Sequence, residues 1–460
     1  MFIESLIKKT MLTWAVLTWT VFLLYAQMPA EQVVALNKSG IEWQKKGDAT
    51  KAIADFTKAI SIDPKNAEAY KNRANVYFGT GDYDSAISDY THAIDLKPDD
   101  AKAYKGRGIT WSWKDDYDRA LVDISKAIEL DPALAAAYKN RASIWDTKNE
   151  LDKAIADYSR AIELDPKDGD ALWKRGAEWY AKSDNDKAIS DCTKAIEIDP
   201  KYAKAYYNRA LALKAKSEYD KAIADYDAAI QLDPRDPSYY YHRGVALTWK
   251  DDYQKAIDDY STAIDLKPLY TEVYVRRASA WDALNDYGDA IAGYTWAMEL
   301  GIHDADIYDS RGQAFANKKE WSQAITDYDK AIELNPTKPA ELHNRRGAAW
   351  SWKDDYDKAI ADYTQAVEID PKFALAYQNR GLAWYAKKDY DKAIADHSRA
   401  IEIDAEYADA YKARGDCYEK KGDIQKAYDD TLHALTLDPK NSATQDNLVR
   451  LKNALKGGKG

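Results

Sequence analysis

The sequence predicts an all-α protein, a stack of about twelve helix-turn-helix repeats closed by a C-terminal capping helix. Proline returns every 34 residues, at Pro64, Pro98, Pro132, Pro166, Pro200, Pro234 and Pro268. The text between prolines is copied with substitutions, so that YDKAIADY stands at 219–226 and again at 356–363. Each copy holds two stretches whose apolar and small residues are spaced three and four apart, the mark of one helix face. A period of this length means an array of small units rather than one globule.

The register continues through Ile302, which takes a proline slot, to Pro336. One additional residue in Pro336-Thr337-Lys338-Pro339 moves the next to Pro371, and Ala405 and Pro439 follow. Repeats therefore start at 33, 67, 101, 135, 169, 203, 237, 271, 305, 340, 374 and 408 and cover 33–441. In the sixth, Tyr206, Ala210 and Leu213 share a face of the first helix, and Ala222, Tyr226 and Ala229 share a face of the second. Lys216 to Asp220 form a polar break with capping residues. Leu232-Asp233-Pro234 ends the pair, because a residue before proline avoids the helical region. A single pair has too little core to fold alone, whereas stacked pairs share one. Beyond the repeats, Leu448, Leu451 and Leu455 make an apolar stripe on a capping helix over 442–456, and 457–460 read as a disordered tail.

Counting from the start of each repeat, a large residue recurs at position 4, a small one at 8, a large one at 11, alanine at 20 and 27, an aromatic at 24 and proline at 32. The first copy gives Leu36, Gly40, Trp43, Ala52, Phe56, Ala59 and Pro64, and the second gives Tyr70, Ala74, Tyr77, Ala86, Tyr90, Ala93 and Pro98. This pattern resembles the tetratricopeptide repeat family. The departures are Ile124, Cys192, His397 and Thr431 at position 24, Leu213 and Leu247 at 11, and the missing prolines at 302 and 405. The resemblance implies a right-handed superhelical solenoid with the first helices on its concave face.

The chain has 460 residues and a net charge of −11. An acidic balance argues against nucleic acid, whose phosphates demand a basic footprint. Cys192 and Cys417 lie in distant repeats without a CxxC, and the six histidines fall in separate repeats, so neither a metal nor a cofactor is expected. There is no nucleophile-base set, P-loop or GxGxxG, which argues against an enzyme. Residues 1–30 lie outside the repeat. Lys8-Lys9 precede an apolar run from Met11 to Ala26 that reads as a signal peptide or, if uncleaved, a membrane anchor. Both place the array outside the cytoplasm, because the positive end stays inside.

The resemblance places positions 2, 5, 6, 9, 12 and 13 on the concave face. In the first six repeats these carry nine lysines, among them Lys38, Lys71, Lys105, Lys139 and Lys174, against three acids. In the last six they carry eight acids against four bases, among them Arg276 and Arg345. The N-terminal half is therefore expected to favour an acidic partner segment. Asparagine recurs at position 6 as Asn72, Asn140, Asn208 and Asn379. Its amide can donate to and accept from a peptide backbone, and the set resembles the asparagine ladder of some relatives. Lys71 and Asn75 match the start of the family's carboxylate clamp, but Gly106, Ala136 and Asn140 break its continuation. Trp113, Trp173, Trp249 and Trp352 are candidate aromatic anchors on the same face.

Position 7 is arginine in every repeat but the first, where Ser39 stands, and position 23 is aspartate in every repeat but the eighth, where Gly293 stands. A repeated guanidinium–carboxylate pair between helices is expected, within a repeat or between neighbours. Gly293, Gly301 and Ile302 together mark a weak joint at the eighth and ninth repeats. The functional expectation is an exported, non-catalytic scaffold that holds a protein segment in the groove. The alternative is a membrane-anchored assembly factor for an envelope complex, with an enzyme third.

Overall fold

The computed structural model describes residues 30–334 and 336–457, which are α-helical with short turns and contain no strand. The apolar run 11–26 and the end of the tail lie outside the described residues. The chain divides after Pro234 into two compact bodies. The first holds α1 (30–45), α2 (Ala49–Ile62), α3 (Ala67–Thr80), α4 (Tyr83–Leu96), α5 (Ala101–Trp113), α6 (Tyr117–Leu130), α7 (Ala135–Thr147), α8 (Leu151–Leu164), α9 (Gly169–Ala181), α10 (Asn185–Ile198), α11 (Ala203–Ala215) and α12 (Tyr219–Leu232). The second holds α13 (Pro237–Thr248), α14 (Tyr253–Leu266), α15 (Thr271–Ala283), α16 (Tyr287–Glu299), α17 (Ala305–Asn317), α18 (Trp321–Glu333), α19 (Pro339–Trp352), α20 (Tyr356–Ile369), α21 (Ala374–Ala386), α22 (Tyr390–Ile403), α23 (Ala408–Lys420), α24 (Ile424–Leu437) and the capping helix α25 (Ser442–Gly457).

Within each body the odd-numbered first helices pack on the even-numbered helices that follow them, and each even helix packs on the next first helix of the same body. First helices also touch across repeats, α3 with α5, α5 with α7 and α9 with α11, so each body has one face built from first helices. The turn inside each pair passes through one left-handed residue: Gly47, Gly81 or Gly422 in three copies and a non-glycine such as Asp115, Asn149 or Lys388 in nine. Aspartates at the N-caps set the following helices; Asp82 accepts from the Ser85 backbone N–H and Asp168 from that of Ala171. The alanines at positions 20 and 27 and the ring at 24 are the core, as Ala222, Tyr226 and Ala229 show with no exposure. Position 8 is small because that ring lies against it: a Cβ on Gly244 would sit 2.7 Å from the Tyr260 ring.

The arginine–aspartate pair forms within a repeat. In ten repeats Nε and Nη2 of the arginine meet both carboxylate oxygens at 2.6–2.9 Å, as in Arg73–Asp89, Arg175–Asp191 and Arg414–Asp430. Within each body the remaining Nη1 reaches back to position 25 of the preceding repeat: Arg73 to Thr57 at 2.9 Å, Arg175 to Ser159 at 3.0 Å and Arg346 to Asp329 at 2.6 Å. One guanidinium thus closes its own helix pair and clips it to its neighbour. In the first repeat Ser39 Oγ donates to Asp55 instead, at 2.6 Å. In the third to sixth, eleventh and twelfth repeats a second ladder joins a lysine just after the first helix to an aspartate of the preceding repeat, as in Lys148–Asp118 at 3.0 Å and Lys114–Asp84 at 2.5 Å, whereas Lys353 of the tenth takes Ser322 at 2.7 Å.

Both ladders fail at the eighth repeat. Arg277 keeps Ser261 at 3.0 Å, but Gly293 offers no carboxylate, and its Nε is buried without a partner. Burial lowers the Arg277 pKa, where every arginine of a complete pair that shifts is raised. Its guanidinium lies over the Trp281 ring, 4.7 Å from the centroid. The lysine ladder meets Leu284 opposite Gln254, and then Gly288 where Lys318 needs an acid, so Lys318 turns to Glu320 at 2.9 Å. Hydrogen exchange should be faster in α15–α17 than in α5–α8. Ser261→Asp, which copies the Asp329–Arg346 arrangement, should slow it; protection equal to that of α5–α8 in the unmodified chain would contradict the weak joint.

One core ring is an imidazole. His397 is wholly buried at position 24, with Nδ1 2.7 Å from Gln378 Oε1 and Nε2 unpaired. Burial, then the Arg414 charge, pushes its pKa down to about 4. The unfolded imidazole takes its proton near 6.5, so between those values the unfolded chain binds more protons. Stability should fall by about 3 kcal/mol as pH drops from about 6.5 to about 4. His397→Phe should flatten that part of the curve in urea unfolding against pH.

Candidate functional site

The face of the first body built from α3 and α5 carries a cavity of about 420 Å³ lined by Lys71, Asn72, Asn75, Phe78, Tyr90, Lys105 and Gly106, among others. Four of these, Lys71, Asn72, Asn75 and Lys105, are the position 5, 6 or 9 residues that the sequence singled out. Their electrostatics differ. Lys71 Nζ sits 2.9 Å from Asp100 and 2.7 Å from Glu68. Burial opposes its charge, but both carboxylates outweigh burial and raise its pKa. Lys105 has no carboxylate partner among the described residues, and burial, aided by Lys102, lowers its pKa. Asn72 is 8 % exposed and its Nδ2 has no hydrogen-bond partner. Asn75 Oδ1 accepts from the Tyr90 hydroxyl at 2.6 Å.

Of the nine lysines counted on the first six repeats, Lys71 as above and two more on α7 and α9 meet carboxylates. Lys139 pairs with Asp168 at 2.8 Å and Asp170 at 3.3 Å, and Lys174 with Asp170 at 3.4 Å. Trp173 is half-buried and its Nε1 donates to the same Asp170 at 3.1 Å. Burial resists ionisation of Asp170, but Lys174, Tyr202 and Lys139 together hold its pKa below the usual range. The counted lysines on α3, α7 and α9 are therefore paired, whereas Lys102 and Lys105 on α5 meet no carboxylate among the described residues. Lys38 is exposed on α1. In the second body Arg345 pairs with Asp309 at 2.5 Å and Arg276 lies 3.6 Å from Glu272.

The asparagines do not behave as one ladder. Asn208 turns onto its own helix, donating to the Lys204 carbonyl at 3.0 Å, and Asn379 donates to Asn344 at 3.0 Å. Asn140 is half-buried on α7. Of the aromatics, Trp113 is 62 % exposed beside Phe78 and Tyr83, with both ring centroids at 6.2 Å. Trp249 is 67 % exposed, and Trp352 is 70 % exposed and stacks on Trp321 at 5.5 Å.

Sequence reasoning missed the acids that neutralise the face. Asp100 and Asp168 are N-caps, so their capping role concealed their second role as lysine partners. It also missed Glu178, at position 10, which is 4 % exposed and hydrogen-bonded to Asp146 of the preceding repeat. Among the described residues no His, Cys, Asp and Glu cluster is placed to hold a metal, and no helix is long and apolar enough to cross a membrane.

Models of the TPR repeat match residues 45–81, 212–248 and 381–422, and models of the tetratricopeptide repeat match 67–100, 135–168, 192–224, 237–268, 305–338, 340–373 and 408–441. The chain belongs to the tetratricopeptide repeat family. Tetratricopeptide repeat proteins are generally protein-interaction scaffolds, and the fold is typically non-catalytic. No curated protein matches the sequence. Among solved structures, the chain is similar to the anaphase-promoting complex hetero-tetramer Cut9–Hcn1, at 17 % identity and TM-score 0.42 over 91 % of this chain and 96 % of that one. It is similar to YrrB, described as a TPR protein with an unusual peptide-binding site, at 27 % identity and TM-score 0.35 over 39 % and 92 %. The C-terminal part of a TPR repeat-containing protein from Cytophaga hutchinsonii aligns at 22 % identity and TM-score 0.46 over 53 % and 99 %.

Burial, and then the Asp146 charge and hydrogen bond, raise the Glu178 pKa well above the ordinary carboxylate range. The folded tetratricopeptide array therefore keeps a proton that the unfolded chain releases, and stability falls as pH rises above about 4.3. Glu178→Gln, which retains a donor to Asp146, should stabilise the protein in urea at pH 8 and change little at pH 4.5.

Proposed function

We propose that this chain is a non-catalytic scaffold that holds a segment of a partner protein against the face of its first helices. The observation that carries this reading is the α3–α5 cavity, where a lysine and an amide stand without internal partners. Lys71 beside them is satisfied by Glu68 and Asp100, which leaves Lys105 and Asn72 open to a ligand. The exposed Trp113, beside Phe78 and Tyr83, adds an aromatic anchor at the end of the same helix pair. Family membership supports binding rather than chemistry, and no catalytic constellation was legible in the sequence.

The array is placed outside the cytoplasm, either released or tethered to the membrane; the support is Lys8-Lys9 followed by the apolar run 11–26. A photo-crosslinking residue at Trp113 in the native host should capture a defined partner, identified by mass spectrometry. The same residue at Glu129, on the outer helix α6, should not. Equal capture from both positions would count against the groove. N-terminal sequencing of the captured protein reports the placement, since a start at Gln27 or later means export with cleavage.

A further inference from the structure

We infer that the cavity between α3 and α5 is a receptor for a single acidic side chain of the bound segment, with Lys105 as its cation and the Asn72 and Asn75 amides as its donors. The inference rests on the scaffold reading and adds the chemistry of the ligand.

The cavity is built so that its donors are left over. Lys71 is neutralised by Asp100 and Glu68 at 2.9 and 2.7 Å, so it contributes little net charge. Lys105, on the facing helix, has neither a carboxylate partner nor a hydrogen bond among the described residues. A cation sunk into a wall without a counterion costs free energy that an arriving anion returns. Asn72 Nδ2 is buried and unpaired, a cost of about 1–3 kcal/mol that persists until an acceptor arrives. The third donor is oriented by the core. The Tyr90 hydroxyl occupies Asn75 Oδ1 at 2.6 Å, which turns Nδ2 away from the ring. Tyr90 can lie there only because residue 106 is glycine: a Cβ would be 2.5 Å from Tyr90 Cζ. Gly106 is also the residue that breaks the family's carboxylate clamp, so this site has a different construction, from two consecutive repeats rather than three.

Lys102 also lines the cavity without a carboxylate partner among the described residues but is exposed, so Lys105 is its one half-buried uncompensated cation, and a carboxylate matches that single sunken charge. The carboxylate can come from a Glu or Asp side chain or from a chain terminus. The open Phe78–Tyr83–Trp113 cluster beside the cavity gives flanking apolar residues a place to continue, which favours an internal side chain.

The test is NMR of the full chain with labelled lysine and asparagine side chains, titrated with N-acetylglutamate amide, its glutamine twin, N-acetylglycine and inorganic phosphate. The glutamate probe should shift the Lys105 and Asn72 signals saturably and bind at least tenfold tighter than the glutamine twin. N-acetylglycine, whose carboxylate is on the main chain, should bind more weakly than the glutamate probe. Lys105→Met should abolish the preference while keeping or raising Tm, because it removes a buried charge with no partner. Asn72→Leu should weaken glutamate binding without unfolding the repeat. Glutamate and glutamine probes binding alike, or phosphate binding more tightly than glutamate, would overturn the assignment. If either occurs while Trp113 cross-links persist, the receptor fails and the scaffold stands. If the probes behave as expected but Trp113 captures nothing, the scaffold reading fails and the receptor stands.

Discussion

The structure depends on one guanidinium used three ways. Nε and Nη2 close a bidentate pair with an aspartate of the same repeat, and Nη1 takes a hydroxyl or carboxylate of the repeat before it. Arginine suits this role because its donors are fixed in a planar fork and remain charged. A lysine could hold the aspartate but could not point a second donor one repeat back. The aspartates are nearly buried, so losing an arginine would strand a carboxylate, a cost of about 3–5 kcal/mol for a broken buried pair. The ends confirm the logic. The first repeat, with no predecessor to clip, uses Ser39, and the twelfth, with no arginine to follow, has Leu432 where other repeats have serine, threonine or aspartate.

That regularity makes exceptions informative. At Arg277 the carboxylate is missing, the next ladder loses its acid at Gly288, and the proline slot holds Ile302. The three losses fall within about one repeat, so that stretch of the second body rests more heavily on apolar contacts such as those of Tyr294, Met298 and Ile307. In the α3–α5 cavity the exception is opposite in sign: the Lys105 and Asn72 donors are present, and Glu68, already paired with Lys71, does not meet them. A missing acceptor inside a packed joint weakens the joint, whereas missing acceptors lining an open cavity leave room for a ligand.

The charge pattern of the binding face shows why counting along a helix misleads. Lys71, Lys139 and Lys174 all sit at position 5 or 6 of first helices, and the count made them one basic stripe. Asp100 and Asp168 lie 29 residues after Lys71 and Lys139 and serve as N-caps, and Asp170 lies 4 residues before Lys174, one residue into a first helix. Lys105 differs from Lys71 because the positions that hold Glu68 and Asp100 beside Lys71 hold Lys102 and Leu134 in its own repeat.

The 34-residue period, the helix pairs, the alanine and aromatic core and the existence of the arginine–aspartate pair were determined by the sequence itself. They depend on local propensity and on residues whose separation is constant, so repetition displays them twelve times over. The placement of each side chain relative to the next repeat was decided only in three dimensions. Within-repeat pairing of arginine, the backward reach of Nη1, the neutralisation of Lys71 by a cap, the divergent uses of Asn208 and Asn379, and the isolation of Lys105 and Asn72 all turn on how one pair packs against another. That geometry sets which donors and acceptors come within 3 Å, a distance that spacing along the chain does not encode.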